Sequence, residues 1–126
     1  MRKMVSAAAV AIALGGTLLT ASPASATNTC TTVQIAVGGK LHLGGTACFQ
    51  SNGDIFSIKD EYADGYHTEV WWEAGTERSI CRNLGGAGTT VTCKHDLPEG
   101  GKVRFGAYVV KGSTVMSAGP EKVVSI

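Results

Sequence analysis

Two adjacent tryptophans, Trp71 and Trp72, are the residues of this 126-residue chain best suited to recognition. Successive side chains of a β-strand point to opposite faces of the sheet, so one ring faces the core and the other faces outward. Trp72 alternates with residues that suit a core-facing row, namely Tyr66, Thr68 and Val70. We therefore predict that Trp72 is buried and that Trp71 shares a polar face with His67, Glu69 and Glu73.

A large ring flanked by acids on a polar face could stack on a sugar or anchor a protein partner. On this interpretation the binding residues are Trp71, Glu69, Glu73 and His67. The alternative is that Trp71 only covers a neighbouring strand or a disulfide, because single exposed apolar residues are common.

Catalytic chemistry is disfavoured by spacing. Glu69 and Glu73, four residues apart on one strand, would be separated by about 13 Å. The paired carboxylates of a glycosidase need about 5 to 9.5 Å. No Gly-x-Ser-x-Gly elbow occurs, and oxidised cysteines would leave no thiol nucleophile. We predict no catalytic residue and no enzymatic activity.

Metal binding is also disfavoured. The three histidines are expected on three different strands, at His42, His67 and His95. Asp60, Asp64 and Gly65 match the start of a calcium loop, but Tyr62 and Trp71 stand where that loop requires oxygen ligands. A looser calcium site that includes Asp54 and Glu61 is an alternative, although Asp-Gly turn formation explains the same residues. We expect no metal and no cofactor.

The four cysteines indicate a cross-linked exported protein. A Gly-rich turn lies midway between Cys30 and Cys48, and another lies midway between Cys81 and Cys93. Cysteines equidistant from a turn would face each other across a hairpin, within disulfide range. We therefore predict the pairs Cys30–Cys48 and Cys81–Cys93.

The first 26 residues are typical of a secretory signal peptide: a basic start, an apolar run and Ala24-x-Ala26 before the expected cleavage. Its removal takes away two of the 11 basic residues and none of the 10 acidic ones, leaving a formal charge of −1. That charge gives no basic surface for nucleic acid or an anionic membrane, and residues 27–126 hold no membrane-spanning apolar run. We predict one secreted, extracellular domain over residues 27–126.

This domain is predicted to be all-β. In residues 27–126 Val, Ile and Thr number 26, against 11 for Leu and Ala, with 15 Gly. β-Branched side chains suit pleated strands, and glycines suit turns. About eight short strands between turn signals indicate a small antiparallel β-sandwich or barrel. The expected strands are 31–37, 40–50, 55–60, 66–74, 78–83, 89–97, 102–111 and 122–126, with 114–117 as a possible ninth.

One conflict arises in the first hairpin. Odd-numbered apolar residues are expected to face the core: Val33, Ile35, Val37, Leu41 and Leu43. Cys30 and Cys48 have even numbers. Either Gly44-Gly45 forms a bulge that resets the alternation, or this disulfide lies on the outer face.

A string of cysteines and turn residues carries a family resemblance: Cys48-Phe49-Gln50-x-x-Gly53-Asp54, Ile58-x-Asp60, Ala63-Asp64-Gly65, Trp72, Gly75, Cys81-x-Asn83 and Cys93. It resembles a group of small exported actinobacterial proteins that are mostly uncharacterised. The resemblance spans roughly residues 46–110. It implies a secreted, disulfide-bonded β domain and no activity.

The leading functional hypothesis is a non-catalytic extracellular binding module or an inhibitor of a secreted hydrolase, with an extracellular protein or cell-wall glycan as partner. In size and cross-linking the chain is similar to a secreted amylase-inhibitor family, but Trp71-Trp72 replaces that family's Trp-Arg-Tyr contact motif. A small-molecule carrier of the enediyne-apoprotein type is one alternative, although its cysteine spacings differ. A small cell-wall hydrolase is the other.

Overall fold

A computed structural model describes residues 28–126, so the predicted signal peptide lies outside the described residues. These residues form nine β-strands and no helix, and therefore no helix that could cross a membrane. The eight expected strands and the possible ninth strand at 114–117 are confirmed, with shifts of a few residues at their ends. The strands are β1 (Asn28–Val37), β2 (Lys40–Gln50), β3 (Ile55–Asp60), β4 (His67–Ala74), β5 (Glu77–Asn83), β6 (Thr90–Lys94), β7 (Lys102–Lys111), β8 (Thr114–Ala118) and β9 (Lys122–Ser125).

The strands build two antiparallel sheets. The four-stranded sheet has the order β1-β2-β3-β6. The five-stranded sheet has the order β9-β7-β4-β5, and β8 pairs with β7 next to β9. The apolar faces of both sheets contribute to one core, which is the arrangement of a β-sandwich.

Aromatic rings fill the centre of this core. Phe49 and Phe56 come from the four-stranded sheet, and Phe105 and Trp72 come from the other. The Phe56 ring lies 5.0 Å from the Trp72 ring, 4.7 Å from Phe49 and 6.1 Å from Phe105, measured between ring centroids. Phe56 therefore joins the two sheets through direct ring contacts.

Both alternatives proposed for the first hairpin are present: it contains a bulge, and its disulfide lies on the outer face. Val33 pairs with Gly45 and Gln34 pairs with Leu43, so Gly44 is an unpaired bulge residue. A Cβ at Gly44 would lie 2.9 Å from Val109 Cγ2 of the opposite sheet, so this close approach requires glycine. The Cys30–Cys48 disulfide is confirmed and lies on the outer face, between directly paired residues with Cα atoms 4.0 Å apart.

Part of the predicted core of the first hairpin is wrong, and the bulge explains the two positions that lie on β2. Val33 and Ile35 are buried as predicted, but Val37, Leu41 and Leu43 are exposed, and Leu41 is 68% exposed. Because the bulge inserts one residue, odd-numbered side chains of β2 face outward before Gly44 and inward after Gly45.

The second disulfide has the predicted partners but a different setting. Cys81 on β5 and Cys93 on β6 are bonded, and their Cα atoms lie 6.1 Å apart. The two strands belong to different sheets, so the expected hairpin is wrong and the bond joins the two layers. Residues 84–89 form a crossover between the sheets instead of a hairpin tip.

Asn83 ties this crossover to the four-stranded sheet. Its fully buried side-chain amide donates to the carbonyls of Ile58, at 3.0 Å, and Thr89, at 2.7 Å. Its Oδ1 accepts from the Gly85 N–H and the Thr89 hydroxyl. The side-chain N–H and carbonyl groups of this buried amide therefore all have hydrogen-bond partners. These bonds fix the position of the end of β5.

A buried carboxylate at the end of β3 gives a testable pH dependence. Burial raises the pKa of Asp60, and the nearby charges of Asp64 and Glu61 raise it further. A raised folded-state pKa means that ionisation costs stability, so stability is greatest below the ordinary pKa and falls as pH rises through the folded value. We expect Asp60→Asn to raise the urea midpoint at pH 7 and to have little effect near pH 3. A gain of equal size at both pH values would contradict the assignment.

Candidate functional site

One face of β4 carries all four predicted binding residues. His67, Glu69, Trp71 and Glu73 lie on the outer face of the five-stranded sheet, and Thr68, Val70 and Trp72 point inward. Trp72 is 5% exposed and packs on Phe56, whereas Trp71 is 36% exposed. The predicted orientation of the two tryptophans is confirmed.

Glu69 lies on the predicted polar face of β4, but it is buried there. It is only 3% exposed, because three neighbouring side chains cover it and bond to it. The Trp71 indole N–H donates to its Oε1 at 2.6 Å, Arg82 Nε donates to its Oε2 at 3.0 Å, and His67 Nε2 lies 2.6 Å from Oε2. Glu69 therefore acts within the protein, as a positioning residue for the Trp71 ring.

The charge state of Glu69 follows from two opposing effects. Burial alone would raise the pKa of this carboxyl. The hydrogen bonds from Trp71, His67 and Arg82 favour the ionised form and together outweigh burial, so the pKa lies below its ordinary value. Glu69 is therefore a carboxylate at neutral pH, paired with Arg82.

The Glu69 network predicts an acid-sensitive stability. Because the folded-state pKa is lowered, its stabilisation is present above the ordinary value of 4.5 and is lost as pH falls through the folded value. We expect Glu69→Gln to lower the free energy of unfolding at pH 7 by about 1 to 3 kcal/mol. The difference from wild type should shrink in urea unfolding experiments below about pH 4.

Glu73→Gln is the matched control, because its carboxylate pairs with Arg104 at 2.8 Å in a largely exposed position. An exposed ion pair contributes less than about 1 kcal/mol. Equal losses in the two variants, or a Glu69→Gln loss that does not depend on pH, would contradict the account of Glu69.

The Trp71 ring is also fixed by an aromatic partner. Tyr108 on β7 stacks against it, with ring centroids 4.4 Å apart and planes inclined by 25°. The residue of β7 paired directly with Trp71 is Gly106, and a Cβ at Gly106 would lie 3.5 Å from Tyr108 Cε1. That distance is an ordinary van der Waals contact, so the place of the Tyr108 ring beside Trp71 does not depend on the glycine.

An open groove of about 610 Å³ surrounds this aromatic pair. Its walls come from β5 and β7 and carry three guanidinium groups, those of Arg78, Arg82 and Arg104. Glu73 and Glu121 are its exposed carboxylates, and both lie near Arg104, at 2.8 and 3.9 Å. We call this feature the Trp71 groove.

Burial, together with the charge of Glu121, raises the pKa of Tyr108. The phenol therefore keeps its proton through the neutral range and remains a hydrogen-bond donor. With the guanidinium groups and carboxylates beside it, the Trp71 groove offers donors and acceptors around an aromatic surface. That combination can orient a ligand that has both apolar and polar parts.

Sequence reasoning found the β4 half of this site and missed the rest. Tyr108 and Arg82 flank Glu69 only because β7 and β5 pair with β4 in this register. Alternation assigns a side chain to a face, but it does not say which strands are neighbours. The three arginines of residues 28–126 were a usable signal, since arginine suits planar recognition of oxyanions.

The other candidate residues have structural surroundings. The His42 ring stacks on Tyr62 at 4.1 Å, and the His95 ring lies 4.7 Å from Trp72. Asp54 accepts the Leu97 N–H at 2.9 Å. Within residues 28–126, no three His, Cys, Asp or Glu side chains are grouped so that they could hold a metal ion.

Comparison with known proteins found no relative of this chain. No family model matches the chain, no curated protein is significantly similar to it, and no solved structure matches its fold. The resemblance to small exported actinobacterial proteins therefore stays a prediction. What is established is an all-β, two-sheet protein with two disulfides and an aromatic groove on the outer face of one sheet.

Proposed function

We propose that the protein is a non-catalytic extracellular binding module and that the Trp71 groove is its binding surface. One observation carries the proposal. The Trp71 ring is held from two sides, by Glu69 and by Tyr108, and still leaves 36% of the residue open to solvent. A tryptophan that only covers a neighbouring strand does not need a buried carboxylate to orient it.

Preorganisation makes this arrangement suitable for binding. A side chain that is already fixed loses little conformational entropy when a partner contacts it, so more of the contact energy becomes affinity. Aromatic rings and arginines are the side chains that most often dominate binding energy. The Trp71 groove combines both on strands, which hold their side chains more rigidly than loops do.

The contacts of the acidic residues support a role without catalysis. Glu69 accepts from three donors and is closed off from solvent, so it is poorly placed to exchange protons with a substrate. Glu73 is held by Arg104. A general acid needs a raised pKa, whereas that of Glu69 is lowered.

The proposed location is outside the cell. Two disulfides are consistent with an oxidising extracellular environment, and residues 28–126 contain no free cysteine. The predicted signal peptide supports the same location. Partners available there include secreted hydrolases, which the protein would inhibit, and cell-wall glycans.

The test is capture of a partner by the mature protein from culture supernatant and purified cell wall. We expect Trp71→Ala to abolish capture while its far-ultraviolet circular dichroism stays that of wild type. Leu41→Ala is the matched control, because it also removes a large exposed side chain but lies on the other sheet. We expect it to capture the partner normally.

Trp71→Phe keeps the test informative if the alanine variant fails to fold. It preserves an aromatic ring and loses the bond to Glu69, so weaker capture by a folded protein is expected. Undiminished capture by folded Trp71→Ala would refute the proposal.

A further inference from the structure

Arginine is distributed unevenly over this molecule. The described residues 28–126 contain three arginines, and all three line the Trp71 groove. None of the six lysines in the same range lines it. Arginine presents a planar fork of donors that matches an oxyanion, whereas lysine is a point charge. The cations at this surface are therefore of the type that recognises a carboxylate by geometry.

The three arginines of the groove are matched in number by Glu69, Glu73 and Glu121, but the pairing between them is uneven. Arg82 is paired with Glu69, and Arg104 with Glu73 and, more distantly, Glu121. Arg78 is exposed and takes part in no ion pair among residues 28–126. The carboxylate directly across the strands from it, Glu73, is already held by Arg104. One guanidinium is thus left with its donors available.

The free guanidinium lies beside the aromatic surface. Arg78 and Ile80 lie two residues apart on the same face of β5, and Ile80 pairs directly with Trp71. A ligand that contacts the indole can therefore reach Arg78 with a group two residues further along the strands, about 7 Å away. Sugars meet an indole through their C–H face, and their hydroxyls can bond to Glu73 and Tyr108.

We infer that the Trp71 groove binds an acidic oligosaccharide of the uronic-acid class, with a sugar ring against Trp71 and a carboxylate on Arg78. This inference rests on the proposed function and specifies its ligand. A neutral glycan would leave the donors of Arg78 without an anionic partner. An acidic peptide could supply the carboxylate but has no sugar C–H face for the indole.

The test is calorimetric titration of the mature protein with a galacturonic acid hexamer. The comparison ligands are the same hexamer with its carboxyl groups reduced to alcohols and a hexaglutamate peptide. We expect the uronate to bind at least about tenfold more tightly than either, as one charge-assisted hydrogen bond provides. Its affinity should fall as salt concentration rises.

Three variants locate the carboxylate contact. Arg78→Ala should weaken uronate binding about tenfold and leave affinity for the reduced hexamer unchanged. Arg78→Lys keeps the charge but not the fork, so it should restore only part of the affinity. Lys94→Ala, which removes the same charge from β6 of the other sheet, should have no effect.

Several results would overturn the inference: no binding of the uronate, equal affinity for the reduced hexamer or for hexaglutamate, or equal effects of Arg78→Ala and Lys94→Ala. Each of them leaves the proposed function standing if Trp71→Ala still abolishes capture of a partner from culture material. Loss of that Trp71 dependence would refute both.

Discussion

Replacing Phe56 with alanine is expected to lower the free energy of unfolding by about 3 to 5 kcal/mol, the usual cost of removing a buried phenylalanine ring. Phe56 is fully buried and contacts aromatic rings of both sheets. Loss of the ring would leave a cavity between the two sheets. Because the Cys81–Cys93 disulfide cross-links strands of these sheets, they cannot easily move to close it. Urea unfolding at pH 7 measures the effect.

Phe56→Leu is the control for this prediction, because it retains most of the apolar volume and should cost roughly half as much. Leu41→Ala, at an exposed site, should change stability by less than about 0.5 kcal/mol. A Phe56→Ala loss below about 1 kcal/mol would show that this ring does not join the sheets.

Removal of the inter-sheet disulfide is the second large effect. The double variant Cys81→Ala/Cys93→Ala should lose about 3 kcal/mol, because the bond closes a loop with a sequence separation of 12 residues in the unfolded chain. A domain of this size buries a limited share of its surface, so such a loss is a large part of its total stability. Thermal unfolding by calorimetry should show a clear fall in Tm.

The matched variant Cys30→Ala/Cys48→Ala opens a loop of similar size, with a separation of 18 residues, on the outer face of one sheet. Chain entropy predicts a similar loss for both variants. If the Cys81/Cys93 variant keeps the Tm of wild type, the unfolded-state argument fails for this protein.

Sequence reasoning succeeded where a pattern is local. Strands could be located because β-branched residues alternate between glycine-rich turns, and Trp71 and Trp72 could be oriented because neighbours in a strand face opposite ways. Both cysteine pairs could be proposed from their spacing around glycines. These inferences need no knowledge of which strand lies beside which.

The wrong predictions share one cause: a local sequence pattern does not indicate which distant strands pair with each other. The expected hairpin between Cys81 and Cys93 is a crossover between sheets, and Asn83 fixes it through contacts with Ile58 and Thr89. The exposure of Leu41 depends on a bulge at Gly44, a position that Val109 of the other sheet approaches closely.

The candidate site shows the same division. His67, Glu69, Trp71 and Glu73 share a face because of alternation alone. The burial of Glu69 and the stacking of Trp71 come from Arg82 and Tyr108, which long-range register brings to β4. The sequence thus indicates which strand recognises a partner, and tertiary structure determines how its side chains are held.

The most direct test of the central claim is a nitrogen–proton correlation spectrum of the protein without the predicted signal peptide, titrated with the galacturonate hexamer or with any partner that the capture experiment identifies. The chain has two tryptophans and therefore two indole N–H signals. We predict that the Trp71 signal shifts on binding while that of Trp72, buried in the core, stays in place. Binding that leaves the Trp71 signal unmoved would contradict the account.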